Sequence, residues 1–155
     1  MATNIVDSKP ALTASDLDDL ERRLSIKLPD DYRQFLIRQN GGRPVSPVFT
    51  FVESSRGPTD SSVAWFLSVH QGKYSNFEKD FRNFKVVQRR MPDNLVPIAH
   101  DPFGNEICMS FSGDDRGAIY FWDHESEADE GEEPTYNNCY LIAKSLTEFL
   151  DGLHE

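Results

Sequence analysis

The tetrapeptide Asp101-Pro102-Phe103-Gly104 constrains this chain more than any other segment. Asp at the first position, Pro at the second and Gly at the fourth match a type I turn, in which the Pro ring presets φ and the Asp carboxylate can take up nearby amides. The stretch before it, 95–99, is apolar, and after it Ile107, Met109 and Phe111 alternate with Glu106, Cys108 and Ser110. That is the period of a strand with one buried face. A tight reversal between two strands makes an antiparallel pair. The Gly-rich run 112–117 turns the chain again into 118–122, and 140–143 supplies a last strand, so the centre of this chain predicts a mainly antiparallel sheet.

Helical signals bracket that sheet. Thr13, Ser15 and Asp16 offer capping groups ahead of Leu17, Leu20 and Leu24, which predicts a helix over 14–24. Pro29, Asp30 and Asp31 open a second, with Tyr32, Phe35 and Leu36 on one face and Asn40-Gly41-Gly42 as a left-handed stop. Residues 48–52 read as a strand, 54–62 as a loop around Gly57 and Pro58, and 63–69 as either a buried strand or a helix segment. Phe77, Phe81 and Phe84 fall on one side of a helix over 76–84 that covers the sheet. Ser145 and Glu148 form a capping box that opens a last helix with Leu146, Phe149, Leu150 and Leu153 on its face. The expected architecture is α+β, one domain over residues 1–155, with N-terminal and C-terminal helices packed on the sheet. Phe35, Leu36, Ile98, Ile107, Met109, Phe149 and Leu150 are assigned to one interior.

Several classes are excluded. A membrane-spanning helix needs about 20 mostly apolar residues, whereas the longest apolar runs, such as 63–67 and 118–122, are five residues. The first seven residues lack the basic head and apolar stretch of a signal peptide, which predicts a cytoplasmic chain. Cys108 and Cys139 have no metal or redox spacing and are expected to be buried thiols. Eleven Phe, five Tyr and two Trp argue for a packed core rather than disorder.

The net charge is −10, and seven of the acids lie within 123–133, a segment without Lys or Arg. Residues 79–90 carry five basic side chains against one acid. The overall field repels polyanions, so a nucleic-acid partner is not expected and a basic one is.

The string Leu28-Pro29-Asp30-Asp31-Tyr32-Arg33-Gln34-Phe35-Leu36, closed by Asn40-Gly41-Gly42, resembles the opening motif of the SUKH superfamily, also described as the Smi-Knr cell-wall-assembly regulator family. Three further pieces follow in order: Val96-Pro97-Ile98-Ala99-His100-Asp101 with Gly104-Asn105, then Ile119-Tyr120-Phe121-Trp122-Asp123-His124-Glu125, then Ser145-Leu146-Thr147-Glu148-Phe149-Leu150. The resemblance spans about 17–153. Leu146 stands where the family pattern usually has Phe, and 43–94 carries no matching motif. What the resemblance implies is an α+β fold without catalytic residues or cofactors. Bacterial members look like immunity proteins that bind and neutralise a toxin, often a nuclease; eukaryotic relatives look like regulatory interaction modules.

The residues themselves assemble no catalytic set. His124 lies between Asp123 and Glu125, but neighbours on a strand point to opposite faces and do not converge on one ion. His70, His100 and His154 are too dispersed for metal spacing, and 101–106 lacks the ligand order of a calcium loop. Neither a phosphate loop nor a nucleophile elbow occurs. Tyr120 and Trp122 are expected to be buried beneath helices. The acids Asp123, Glu125, Glu127, Asp129, Glu130, Glu132 and Glu133 must be solvated or face a basic partner. They are the candidate partner-binding residues. The function expected is that of a non-enzymatic immunity protein that blocks a basic toxin domain, with a regulatory scaffold lacking a toxin partner as the alternative.

Overall fold

The computed structural model describes residues 3–155. The reading of the N-terminus therefore includes Met1 and Ala2, which lie outside the described residues. In chain order the elements are β1 (Ile5–Val6), α1 (Ala14–Leu24), α2 (Asp30–Arg38), β2 (Arg43–Pro44), β3 (Val48–Glu53), β4 (Gly57–Ser62), β5 (Trp65–Phe66), α3 (Phe77–Phe81), β6 (Leu95–His100), β7 (Glu106–Ser110), β8 (Ile119–Trp122), β9 (Cys139–Ala143) and α4 (Leu146–Gly152). Strands β5 to β9 form one antiparallel sheet in sequential order, and β3–β4 and β1–β2 are separate pairs. The fold is α+β, as the sequence pattern implies.

Local chemistry explains the first two helices. Thr13 accepts the Asp16 amide at 3.1 Å while the Asp16 carboxylate accepts the Thr13 amide at 2.9 Å, which satisfies two free donors of α1. Leu17, Leu20 and Leu24 are buried. Arg33 on α2 reaches back to Asp18 at 2.6 Å and Glu21 at 2.9 Å and fixes the two helices to each other. After α2 the chain enters Gly41 and Gly42 with φ of +68° and +119°. The buried Asn40 amide donates to the carbonyls of Pro10 and Val69, and its oxygen accepts the Val69 amide. A Cβ on Gly41 would stand 2.7 Å from the Phe66 carbonyl. The Asn-Gly-Gly run is thus a close-packed knot as well as a helix stop.

Several expectations are corrected. Residues 57–62 are not a loop: β4 pairs with β3 from Val48↔Ser62 to Glu53↔Gly57. Its polar sequence hides a strand because β4 is an edge, where Pro58 is tolerated. Of 63–69, only Trp65–Phe66 is strand. The helix over 76–84 is regular only through Phe81 and continues as a π-helical segment, Arg82–Val87. The wider winding parts the three rings: Phe77 and Phe81 join the main core, whereas Phe84 packs edge-on to Trp122 at 5.5 Å on the other side of the sheet. Finally, β7 is buried at all five positions rather than on one face.

The sheet therefore separates two apolar layers. Ile107, Met109, Ile119 and Phe121 face the main core with α1, α2 and α4. Leu95, Cys108 and Trp122, with Met91, form a smaller second core. The expected interior is found: Phe35, Leu36, Ile98, Ile107, Met109 and Phe149 are buried, and Leu150 packs against them. Cys108 is buried as expected, but Cys139 is only half-buried. At α4, Ser145 accepts the Glu148 amide, while the Glu148 carboxylate takes the amide of Lys144 instead of Ser145, so the expected box is displaced by one residue.

Phe149→Ala is expected to lower stability by about 3 to 5 kcal/mol in urea denaturation, whereas Leu141→Ala, at an exposed position, should stay within about 0.5 kcal/mol. Gly41→Ala combines a left-handed φ with a backbone clash and should destabilise despite the small change in volume. Parental melting of Gly41→Ala would refute the close packing of the knot.

Candidate functional site

The acidic segment leaves the sheet at the end of β8. Asp123 accepts the Glu125 amide at 3.0 Å and opens a single 3-10 turn, His124–Ser126. Asn138 exchanges hydrogen bonds with the Asp123 backbone at 2.9 Å, anchoring that turn beside the start of β9. His124 turns away from both flanking carboxylates toward the β6–β7 turn. Its backbone amide and Nδ1 lie 3.0 Å and 2.6 Å from the Asn105 Oδ1. His124 is a tie between two loops.

The Asp101 carboxylate is likewise engaged in structure. It accepts the amides of Phe103 and Asn105, the Asn105 side-chain amide and the Ser61 hydroxyl. His100 bonds Ser75, His70 bonds the Tyr74 carbonyl and Gly72, and His154 lies at the C-terminal end of the chain. Among the described residues no three His, Cys, Asp or Glu side chains converge as metal ligands.

The seven candidate acids divide. Glu127 is half-buried and pairs with Arg90 through two contacts of 2.7 Å and 3.0 Å. The Arg90 guanidinium also lies over the rings of Phe84 and Trp122, 4.8 Å and 5.1 Å from their centroids. Charge pairing and ring stacking fix the Arg90 side chain, and the Phe84 carbonyl, which accepts the Arg90 backbone amide, fixes its main chain. Asp123 is half-buried in the capping turn, while Glu125, Asp129, Glu130, Glu132 and Glu133 are exposed.

Between Glu127 and Pro134 the segment forms one wall of a groove of about 610 Å³. Asp129, Glu130 and Glu132 line that wall, and Val87 to Arg90 form the other. Val87 is 72% exposed. The basic strip is largely engaged within the chain: Arg82 pairs with Glu78 at 3.1 Å, and Lys85 donates to the Pro92 carbonyl, where burial lowers its pKa to about 8. Lys85 and Arg90 thus pack toward the second core, while Lys79 and Arg89 stay exposed, Arg89 on the wall opposite the acids.

Sequence reasoning missed three features here. Tyr120 and Trp122 share a face as expected, but Trp122 is covered by the π-helical segment with Arg90, a contact spanning more than thirty residues that no spacing rule reveals, while Tyr120 stays half-buried against the Tyr136 ring. Asp115 accepts from Ser110, Tyr120 and Tyr136 at 2.7 to 2.8 Å. Burial pushes its carboxyl up, but those hydrogen bonds prevail and its pKa is lowered, while burial and Asp115 raise Tyr136 to about 12. Glu106, placed by alternation on an open face, is instead buried.

The profile of the SMI1/KNR4 family (SUKH-1) matches residues 11–152. The chain is also 30% identical over 152 aligned positions to the SPbeta prophage-derived uncharacterized protein YokK of Bacillus subtilis (strain 168), an alignment that spans 91% of this chain and 74% of that protein. The chain belongs to the SMI1/KNR4 family. Among the described residues no helix is long and apolar enough to cross a membrane.

Arg90→Lys keeps the charge but loses the planar fork and the stacking. It should cost about 1 kcal/mol and increase acrylamide quenching of Trp122 in a Trp65→Phe background. Unchanged quenching would show that Trp122 is covered without the guanidinium.

Proposed function

We propose that this chain is a non-enzymatic binding protein, and specifically an immunity protein that neutralises a basic toxin domain, a nuclease in the first instance, by covering its substrate cleft. The observation that carries this reading is the groove whose acidic wall is held at its base by Glu127 and Arg90 and, among the described residues, is free of ion pairs at Asp129, Glu130 and Glu132. Four exposed carboxylates between 129 and 133 are costly to hold together unless their field has a use. A nuclease presents Lys and Arg to phosphate, so such a wall imitates the substrate's charge. Membership of the family supports a binding role.

Exposed ion pairs contribute only about 0 to 1 kcal/mol each. The wall therefore acts mainly on encounter, and apolar contacts such as Val87 supply the lasting affinity. Replacing Asp129, Glu130, Glu132 and Glu133 together by Asn or Gln, with Glu127 left in place, should slow stopped-flow association with a nuclease domain encoded beside this gene about tenfold at low salt. Dissociation and melting temperature should change little, and the difference should shrink as ionic strength rises. A parental association rate would remove the wall from the recognition surface. Failure of such a nuclease to bind at all would favour a regulatory scaffold.

A further inference from the structure

His100, Glu106 and Trp122 are directly paired across β6, β7 and β8, so their side chains form a row on one face of the sheet. Glu106 is 4% exposed. Its Oε2 and the Trp122 Nε1 are both buried without a hydrogen-bond partner among the described residues. An ionised carboxylate in this position is strongly disfavoured unless a cation reaches it. Burial, followed by the charges of Asp80 on α3 and Asp101 in the β6–β7 turn, holds the Glu106 pKa well above its ordinary value, and Arg90 opposes them. The other titratable groups of this face include His100 on β6, Cys108 on β7, Tyr120 on β8, Cys139 on β9 and, beyond Cys108, Lys85 on the π-helical segment.

Arg90 stands over the ring of Trp122, the neighbour of Glu106, while its guanidinium is given to Glu127. Arg90 and Glu106 thus share Trp122 as a neighbour, and each charge acts on the other, while the only carboxylate paired with Arg90 among the described residues is Glu127. We propose that Glu106 and Glu127 compete for Arg90, and that the proton on Glu106 decides which of them holds it. With Glu106 protonated, Arg90 holds Glu127 and the acidic wall is latched to the second core. When Glu106 gives its proton to solvent, Arg90 turns inward, the Glu127 pair opens and the segment from Ala128 to Pro134 is released. The link to partner capture rests on the function proposed above, whereas the latch belongs to the free protein and is tested there.

The test is NMR of the isotopically labelled free chain from pH 5 to 10. The Glu106 carboxyl carbon, the Arg90 Nε–H and the amides from Ala128 to Glu133 should titrate with one midpoint. Exchange of those amides, corrected for its intrinsic pH dependence, should rise about tenfold above that midpoint. Glu106→Gln should abolish the shared transition and leave the wall latched, and Glu127→Gln should leave it released at every pH. The stability sign is also fixed: above pH 4.5, the ordinary carboxyl value, the folded parent retains a proton that the unfolded chain has lost. The parent therefore loses stability as pH rises toward the folded pKa, and Glu106→Gln gains relative to it. A Glu106 carbon already ionised at pH 6, a transition that persists in Glu106→Gln, or ionisation without movement at Arg90 would each overturn the latch. If Glu106→Gln does not fold, the parent's carboxyl titration and Glu127→Gln decide it. Slow association without a latch transition would leave the recognition reading intact and remove only its regulation.

Discussion

Burial of both faces of β7 is the constraint from which most of this architecture follows. Five consecutive buried residues in a central strand require cover above and below. The helices α1, α2 and α4 cover Ile107 and Met109 on one side. The other side holds Cys108 and Trp122, for which no long helix is available. The chain meets that need by continuing α3 into a π-helical segment that delivers Phe84, Met91 and Arg90 to the second core. Glu106 belongs to the same strand and is drawn into the interior with its neighbours.

Elements whose signal is local were legible in the sequence. Thr13 and Asp16 cap each other three residues apart, Leu17, Leu20 and Leu24 bury one face, and α1 has the bounds their spacing implies. The turn at Asp101 is equally local, because a single carboxylate gathers the amides of Phe103 and Asn105. The β4 strand was not legible: Gly57-Pro58-Thr59-Asp60-Ser61-Ser62 has no apolar alternation and is ordered by its ladder to β3. The alternation in 106–111 implies a strand but not its burial on both faces, since Glu106 and Ser110 look like solvent positions until the segment that covers them is known.

The candidate site divides in the same way. Seven acids without a basic residue are visible as composition, but composition does not distinguish Glu127, held by Arg90, from Asp129, Glu130 and Glu132 on the open wall. Likewise Asp123 and His124 resemble reactive neighbours in the sequence, yet one caps a turn and the other ties that turn to Asn105. Pairings between side chains this distant are set by the sheet register and by the path of the π-helical segment, neither of which leaves a periodic trace.

Fixed ends and a free middle give the acidic wall its physical character. Asp123 and Asn138 close its base, Glu127 is pinned by Arg90, and the Tyr136 hydroxyl bonds Asp115, so the exposed residues 129–133 are suspended between anchors on a rigid sheet. A flexible acidic tail would spread its field and lose entropy when captured. A short span held at both ends concentrates four carboxylates at a defined place and loses less on binding. The same anchoring makes the wall responsive to chemistry beneath it. Arg90 is shared between the surface and the second core, so a change of charge at Glu106 can reach the partner-facing side without rearranging the main core.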